Sequence, residues 1–188
     1  MAHFEYIKSL KIELDNFNHD QFSLISSFVF NGWRNRSKFW VIGNGGNSAN
    51  ALHFVTDWTK GLYLDTGVPM SANALVENSA LFSALSNDLD RNDIFSFQIQ
   101  MHGKSGDIAI LMSAGGNSQN VASAAEICKK IGITTIGIIG GTNPKLKGCF
   151  DYEMHTVSDD IQIVEDIHSI FGHMIMREII HLNKTTEV

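Results

Sequence analysis

Two histidines and two acidic residues sit at spacings that chemistry can use. His53 and Asp57 are four residues apart in a segment of helical periodicity, so at 3.6 residues per turn they leave one face about 40° apart. An imidazole and a carboxylate placed this way can share one cation or exchange a proton. Glu165 and His173 are eight apart in a later helical segment, about 80° apart over two turns, and are expected to converge less tightly. His168 lies three beyond Glu165. A lone histidine on an apolar helix face is more often a hydrogen-bonded core residue than a ligand, and His168 and His181 are read that way.

Two loops supply a second kind of chemistry. Gly43-Asn44-Gly45-Gly46 follows the apolar run Phe39-Trp40-Val41-Ile42 and precedes a helical pattern of Ala49, Leu52, Phe54, Val55 and Trp58. Ser113-Ala114-Gly115-Gly116-Asn117-Ser118 follows Ile108 to Met112 and precedes Val121, Ala124, Ile127 and Ile131. A glycine loop feeding a helix offers bare N–H groups and partial positive charge to an anion such as phosphate. The first loop lacks the third glycine of the dinucleotide fingerprint and the Gly-Lys-Ser/Thr of a P-loop, which argues against a nicotinamide oxidoreductase. Asn44, Asn47, Ser113, Ser118 and Asn120 match sugar hydroxyls, so the pair of loops points to a polyol phosphate.

The elements needed to position these groups can be read from the pattern. Residues 4–17 and 20–33 show helical spacing, Thr134 to Ile139 is a third apolar strand closing on Gly140-Gly141, and Tyr152 to Val157 predicts a short edge strand. A final helix is expected from Gln162 to His181, with an apolar stripe of Val164, Ile167, Ile170, Phe171, Met174 and Ile175. Continuous apolar strands alternating with helices predict an α/β fold, a doubly wound parallel sheet with helices on both faces, extended by the N-terminal helices. In such folds ligands bind beyond the carboxyl ends of the strands, where the winding reverses.

Composition narrows the function classes. The 188 residues are 44% apolar and 18% charged, enough for one packed domain and unlike a disordered chain. The net charge of −6 opposes a nucleic-acid surface. Cys128 and Cys149 form no disulfide or zinc pattern, and neither an export signal nor an apolar run of ~20 residues is visible. The expectation is a cytoplasmic protein with no nucleic-acid or membrane partner.

The co-linear order Gly43-Asn44-Gly45-Gly46, His53-Phe54, Asn87-Asp88, Gly106-Asp107 and Ser113 through Ser118-Gln119-Asn120-Val121 resembles the sugar isomerase (SIS) fold, a flavodoxin-like three-layer sandwich. Within it the chain most resembles the sedoheptulose 7-phosphate, or phosphoheptose, isomerases, over about residues 38–180. The resemblance implies a single SIS domain over 1–188, with a helical segment at 1–35 and an α/β core at 36–188. It implies an aldose-ketose isomerase acting on a heptose 7-phosphate through an enediol, with zinc held by His53, Asp57, Glu165 and His173. Asp57 is the expected base and His173 the expected acid, with Glu165 or a metal-bound hydroxide as base if Asp57 serves only as a ligand. Asn44, Gly45, Gly46, Asn47, Asn87, Asp88, Ser113, Ala114, Gly115, Ser118 and Glu165 are the expected substrate contacts. A homo-oligomer, a tetramer by analogy, with active sites shared between subunits is implied as well.

The chain departs from the family pattern at several of these positions. Asp57 stands for a glutamate, withdrawing the carboxylate by about an ångström, a displacement that costs on the order of a hundredfold in rate. Glu165 stands for a glutamine and adds a charge that favours a cation. Ala114 to Gly116 lack two hydroxyls of the family's phosphate loop. Lys60, beside the family's arginine position at Gly61, is a candidate replacement cation, and Gln162 stands at a usually acidic position. The loss of loop hydroxyls motivates a rival expectation, a non-catalytic sugar-phosphate sensor or protein-binding scaffold on the same fold.

Overall fold

Three apolar runs of five to seven residues and two shorter or more polar edge segments assemble into five parallel strands in the computed structural model, which describes residues 1–186. The strands are β1 (Lys38–Ile42), β2 (Ser71–Ala74), β3 (Ile108–Ser113), β4 (Thr134–Gly140) and β5 (Tyr152–Thr156), in the order β2-β1-β3-β4-β5. β1 pairs with β3 from Phe39 opposite Ile108 to Ile42 opposite Leu111. Strand β2 escaped the sequence reading because Ser71-Ala72-Asn73-Ala74 has none of the branched or aromatic residues that mark a strand; edge pairing with β1 makes it one.

The helices are α1 (Ala2–Asp15), α2 (His19–Arg34), α3 (Gly46–Thr56), α4 (Leu62–Thr66), α5 (Ser79–Asp88), α6 (Ile94–His102), α7 (Gln119–Ile131) and α8 (Ile161–Thr186). A π turn, Asp57–Gly61, joins α3 to α4, and a 3-10 turn, Arg91–Asp93, precedes α6. Alternation along each strand feeds two cores. Ile108, Ile110 and Met112 of β3 pack with Phe22, Phe54 and Phe171 of α2, α3 and α8. Ala109 and Leu111 pack with Phe95, Val121 and Cys128 of α6 and α7. This is the doubly wound sheet with helices on both faces that the sequence predicts. Helix α1 buries none of its residues: Phe4, Ile7, Ile12 and Leu14 are exposed, and Tyr6 donates to Asp166 of α8 at 2.6 Å.

The seam between α3 and α8 positions the histidines. Gly172 is the notch: a Cβ there would lie 2.0 Å from Cε1 of Phe54, so only glycine lets that ring sit on the α8 backbone. Trp58, fully buried, donates its indole N–H to the Gly172 carbonyl at 3.0 Å. Nearer the start of both helices, His168 Nδ1–H donates to Asn47 Oδ1 at 2.9 Å, and Asn50 donates to the Glu165 carbonyl at 3.0 Å. His168 is fully buried and its Nε2 has no partner among the described residues. Burial pushes its pKa down to about 3 against a smaller upward pull from the Ile139 backbone, so the ring is neutral. The core reading of His168 therefore holds.

Two outcomes follow from this seam. Gly172→Ala is expected to lose about 1–3 kcal/mol to overpacking, less the ~1 kcal/mol that alanine returns as helix propensity, leaving a lower midpoint in chemical denaturation. Because the folded pKa of His168 lies below the unfolded value of 6.5, its neutral form contributes fully above that value and the contribution is lost as pH falls toward 3. The slope is at most ~1.4 kcal/mol per pH unit. His168→Gln keeps a donor for Asn47 but does not titrate, so its unfolding midpoint should fall less between about pH 6.5 and 4 than that of the unaltered chain.

Candidate active site

Loops β1-α3 and β3-α7 leave adjacent strands toward opposite faces of the sheet, and this divergence opens a crevice between them. Asn44 and Asn120 bridge it reciprocally: each side-chain amide donates to the oxygen of the other at 2.9 Å. Gly45 takes a left-handed conformation, φ +57°, to enter α3. On the other loop Ser113, the buried last residue of β3, and Ser118 are bonded to one another, Oγ to Oγ, at 3.0 Å. Ala114 is half-buried, and Gly115 is exposed with its carbonyl accepting from Asn117. Beside the bridge lies a cavity of about 520 Å³ whose lining includes Asn44, Gly45, Ser48, Ser86, Arg91 and Asn120.

About two turns along α3 from this cavity, three side chains meet. Asp57 Oδ2 is 3.3 Å from His53 Nε2 and 3.7 Å from His173 Nε2, and the two Nε2 atoms are 3.4 Å apart. One ligand atom from each of the three falls within 4.8 Å of the others. The backbone N–H of Asp57 still reaches the His53 carbonyl, so the pair keeps the α-helical spacing predicted for it, and the π turn begins only there. His173 arrives from α8, one residue past the Gly172 notch. The imidazoles are about half exposed, 48% and 45%, and Asp57 is 30% exposed, so the cluster is accessible.

The structure separates several residues that the sequence reading grouped. Glu165 does not join the cluster. Its carboxylate lies over Gly46, where a Cβ would approach Oε2 to 2.1 Å. The reason is axial: α8 runs alongside α3 in the same direction, and eight residues place Glu165 and His173 about 12 Å apart along the helix. Asn47 is 1% exposed and committed to His168 rather than open to the cavity. Asn87 and Asp88 end α5, exposed and bonded to each other at 2.9 Å. Lys60 is exposed in the π turn, and Gly61 lies against Met176; neither lines the cavity. The cation that does, Arg91, was missed. It sits in the run Asp90-Arg91-Asn92-Asp93, which reads as an ordinary polar turn, and only the chain path brings it to the loops.

Two imidazole nitrogens and a carboxylate oxygen are a borderline-soft set suited to zinc and acceptable to iron or manganese, with room for a further ligand. The residues fit a divalent cation. The SIS domain family model matches residues 2–140, a span holding both glycine loops, His53 and Asp57, and the chain belongs to that family of sugar isomerase domains. It is 33% identical over 160 residues to the phosphoheptose isomerase of Aneurinibacillus thermoaerophilus, covering 83% of this chain and 80% of that one. It is 36% identical over 151 residues to the probable phosphoheptose isomerase of Thermoplasma acidophilum, covering 80% of each. The structure of a phosphoheptose isomerase from Francisella tularensis matches with a TM-score of 0.87 at 25% identity, over 95% of this chain and 94% of that one. More particularly, then, the chain belongs to the phosphoheptose isomerases, and it is an enzyme of the sugar phosphate isomerase class.

Titration with zinc, followed by calorimetry, is expected to show one ion bound per chain. His53→Ala and His173→Ala should each weaken it by at least the ~10–100-fold that loss of even an outer-shell partner costs. Glu165→Gln should leave the affinity nearly unchanged, because that carboxylate lies at Gly46.

Proposed function

We propose that the chain interconverts a ketose and an aldose phosphate of a heptose, sedoheptulose 7-phosphate and glycero-manno-heptose 7-phosphate, through an enediol, in the cytoplasm. The observation that carries this reading is the convergence of His53, Asp57 and His173 beside the paired glycine loops in a chain of this family. Isomerisation moves a proton between neighbouring carbons and another between their oxygens, so it needs a base, an acid and a place for developing negative charge. Asp57 directs Oδ2 at both imidazoles, and its Oδ1 makes no hydrogen bond among the described residues. That oxygen takes the carbon-bound proton and returns it to the adjacent carbon. His173 delivers a proton to the carbonyl oxygen as the enediol forms and recovers one from the neighbouring hydroxyl as it collapses. His53, 3.3 Å from Asp57, holds the carboxylate in place. The same three side chains would hold a zinc ion, which when bound supplies polarisation of the carbonyl and offsets charge on the enediolate oxygens. Nε2 of His173 is the nitrogen that faces the cluster, so ligation and proton donation are alternative uses of one atom.

Several observations support the remaining parts of the reading. Both cysteines are unpaired, as a reducing compartment requires. Among the described residues no helix is long and apolar enough to cross a membrane. The exposed apolar face of α1 and the half-exposed imidazoles favour a homo-oligomer, a tetramer in our reading, in which a neighbouring copy covers the cluster. The missing hydroxyls at Ala114 to Gly116 favour a second reading, a sugar-phosphate sensor that binds without turnover.

The deciding experiment is exchange of solvent deuterium into C2 of the sugar phosphate, with direct assay of the aldose and ketose. Asp57→Asn and His173→Ala are each expected to lower kcat/KM by about 10²–10⁴ while the chain stays folded. Tight binding with no exchange would establish the sensor. Activity that survives chelation would assign His173 as acid, and loss restored by zinc would assign it as ligand.

A further inference from the structure

The anion-binding loops of this chain are short of free donors. One of the Ser113 and Ser118 hydroxyls donates to the other, the three positions after Ser113 have no side-chain donor, and one N–H of each amide of Asn44 and Asn120 is engaged across the crevice. Neutral donors remain, namely one serine hydroxyl, the second N–H of each amide, backbone N–H groups and the start of α3, which favour an anion but supply only a fraction of a charge. A doubly charged phosphate leaving water needs more.

One full charge is available. Of the residues lining the cavity at the loops, Arg91 is the only one that is ionised; the rest are glycine, asparagine, serine or apolar. Its acidic neighbours do not neutralise it. Asp88 accepts from Asn87 and Asp90 caps the 3-10 turn at Asn92 N–H, 2.9 and 2.8 Å. Neither these nor Asp93 comes within ion-pair distance of Arg91, which forms no ion pair among the described residues. The turn that carries Arg91 packs on α7, the helix into which the second loop feeds. A guanidinium presents a planar fork of donors matched to two oxygens of one phosphate.

We propose that Arg91 is the phosphate-recognising residue of this cavity, supplying the charge that the β3-α7 loop lacks. The inference rests on the sugar phosphate reading above. Binding of phosphate here leaves the sugar to extend along α3 toward Asp57 and His173. Arg91 is thus a specificity residue, acting on affinity for the phosphate end and not on proton transfer.

The test compares Arg91→Ala and Arg91→Lys with the unaltered chain, using sedoheptulose 7-phosphate as substrate and inorganic phosphate as competitor. Loss of a charge-assisted pair should raise KM, and the inhibition constant for inorganic phosphate, about 10- to 100-fold in Arg91→Ala. The value of kcat should change little, and Arg91→Lys should recover part of the loss. Equal KM and equal inhibition in all three proteins would overturn the proposal, as would a loss confined to kcat. Calorimetric binding of inorganic phosphate separates this outcome from failure of the isomerase reading. Arg91-dependent binding without turnover of any sugar phosphate would sink that reading and uphold this one; turnover with Arg91-independent binding would do the reverse.

Discussion

The seating of Phe54 on the bare backbone of Gly172 fixes the rest of the site. Helix α8 can approach α3 that closely only because Gly172 has no side chain, and the approach is then locked by Trp58, whose indole N–H reaches the Gly172 carbonyl. Burying two large aromatic side chains contributes about 1.5–3 kcal/mol each or more, so the seam is held by packing and not by the histidines. This matters because His53, Asp57 and His173 are partly exposed and contribute little to their own placement. Their mutual distances are inherited from a neighbouring contact.

The π turn has a complementary part. Had α3 continued regularly, the residues after Asp57 would have kept the α-helical phase. Widening at Asp57–Gly61 rewinds the chain so that Trp58 is fully buried, while Asp57, at the boundary, stays in register with His53. The disturbed backbone is compensated from outside: Met70 N–H donates to the Trp58 carbonyl at 3.1 Å, ahead of strand β2. A single local irregularity therefore anchors the seam and leaves a carboxylate facing two imidazoles. Such turns recur at functional sites.

These couplings explain what could be read from the sequence. Strand, glycine loop and helix at residues 39–58 and 108–131 were visible because apolar runs and glycines act locally, and the four-residue step from His53 to Asp57 is a local property of a helix. His173 entered the candidate set through its type and family position. Its approach to His53 depends on Gly172, which looks in sequence like an ordinary weak point in a helix. Glu165 was misplaced because angular phase says nothing about position along the axis. Asn47 was given to the substrate because an amide matches a sugar hydroxyl; here a buried neutral histidine on α8 takes its oxygen instead. Arg91 and β2 had no local signal, since edge pairing and the path of the chain create their roles.

On the proposed reading, the arrangement that results divides recognition from chemistry along one helix. Glycine loops, the Asn44–Asn120 bridge and Arg91 gather at the start of α3, whereas the cluster of His53, Asp57 and His173 lies seven or more residues on, a rise of about 10 Å or more. On the proposed reading, a ligand held by its phosphate at the first place reaches the second only if its carbon chain extends that far, so α3 selects for length as well as for charge. Glu165 lies at the loop end, its carboxylate over Gly46 at the start of the helix. A fixed negative charge there competes for the same positive end of α3 that a phosphate would use, so on the proposed reading an anion is drawn away from the helix axis and toward the guanidinium. The change at Glu165 and the cation at Arg91 thus act in the same direction, moving the electrostatic centre of the cavity from backbone to side chain.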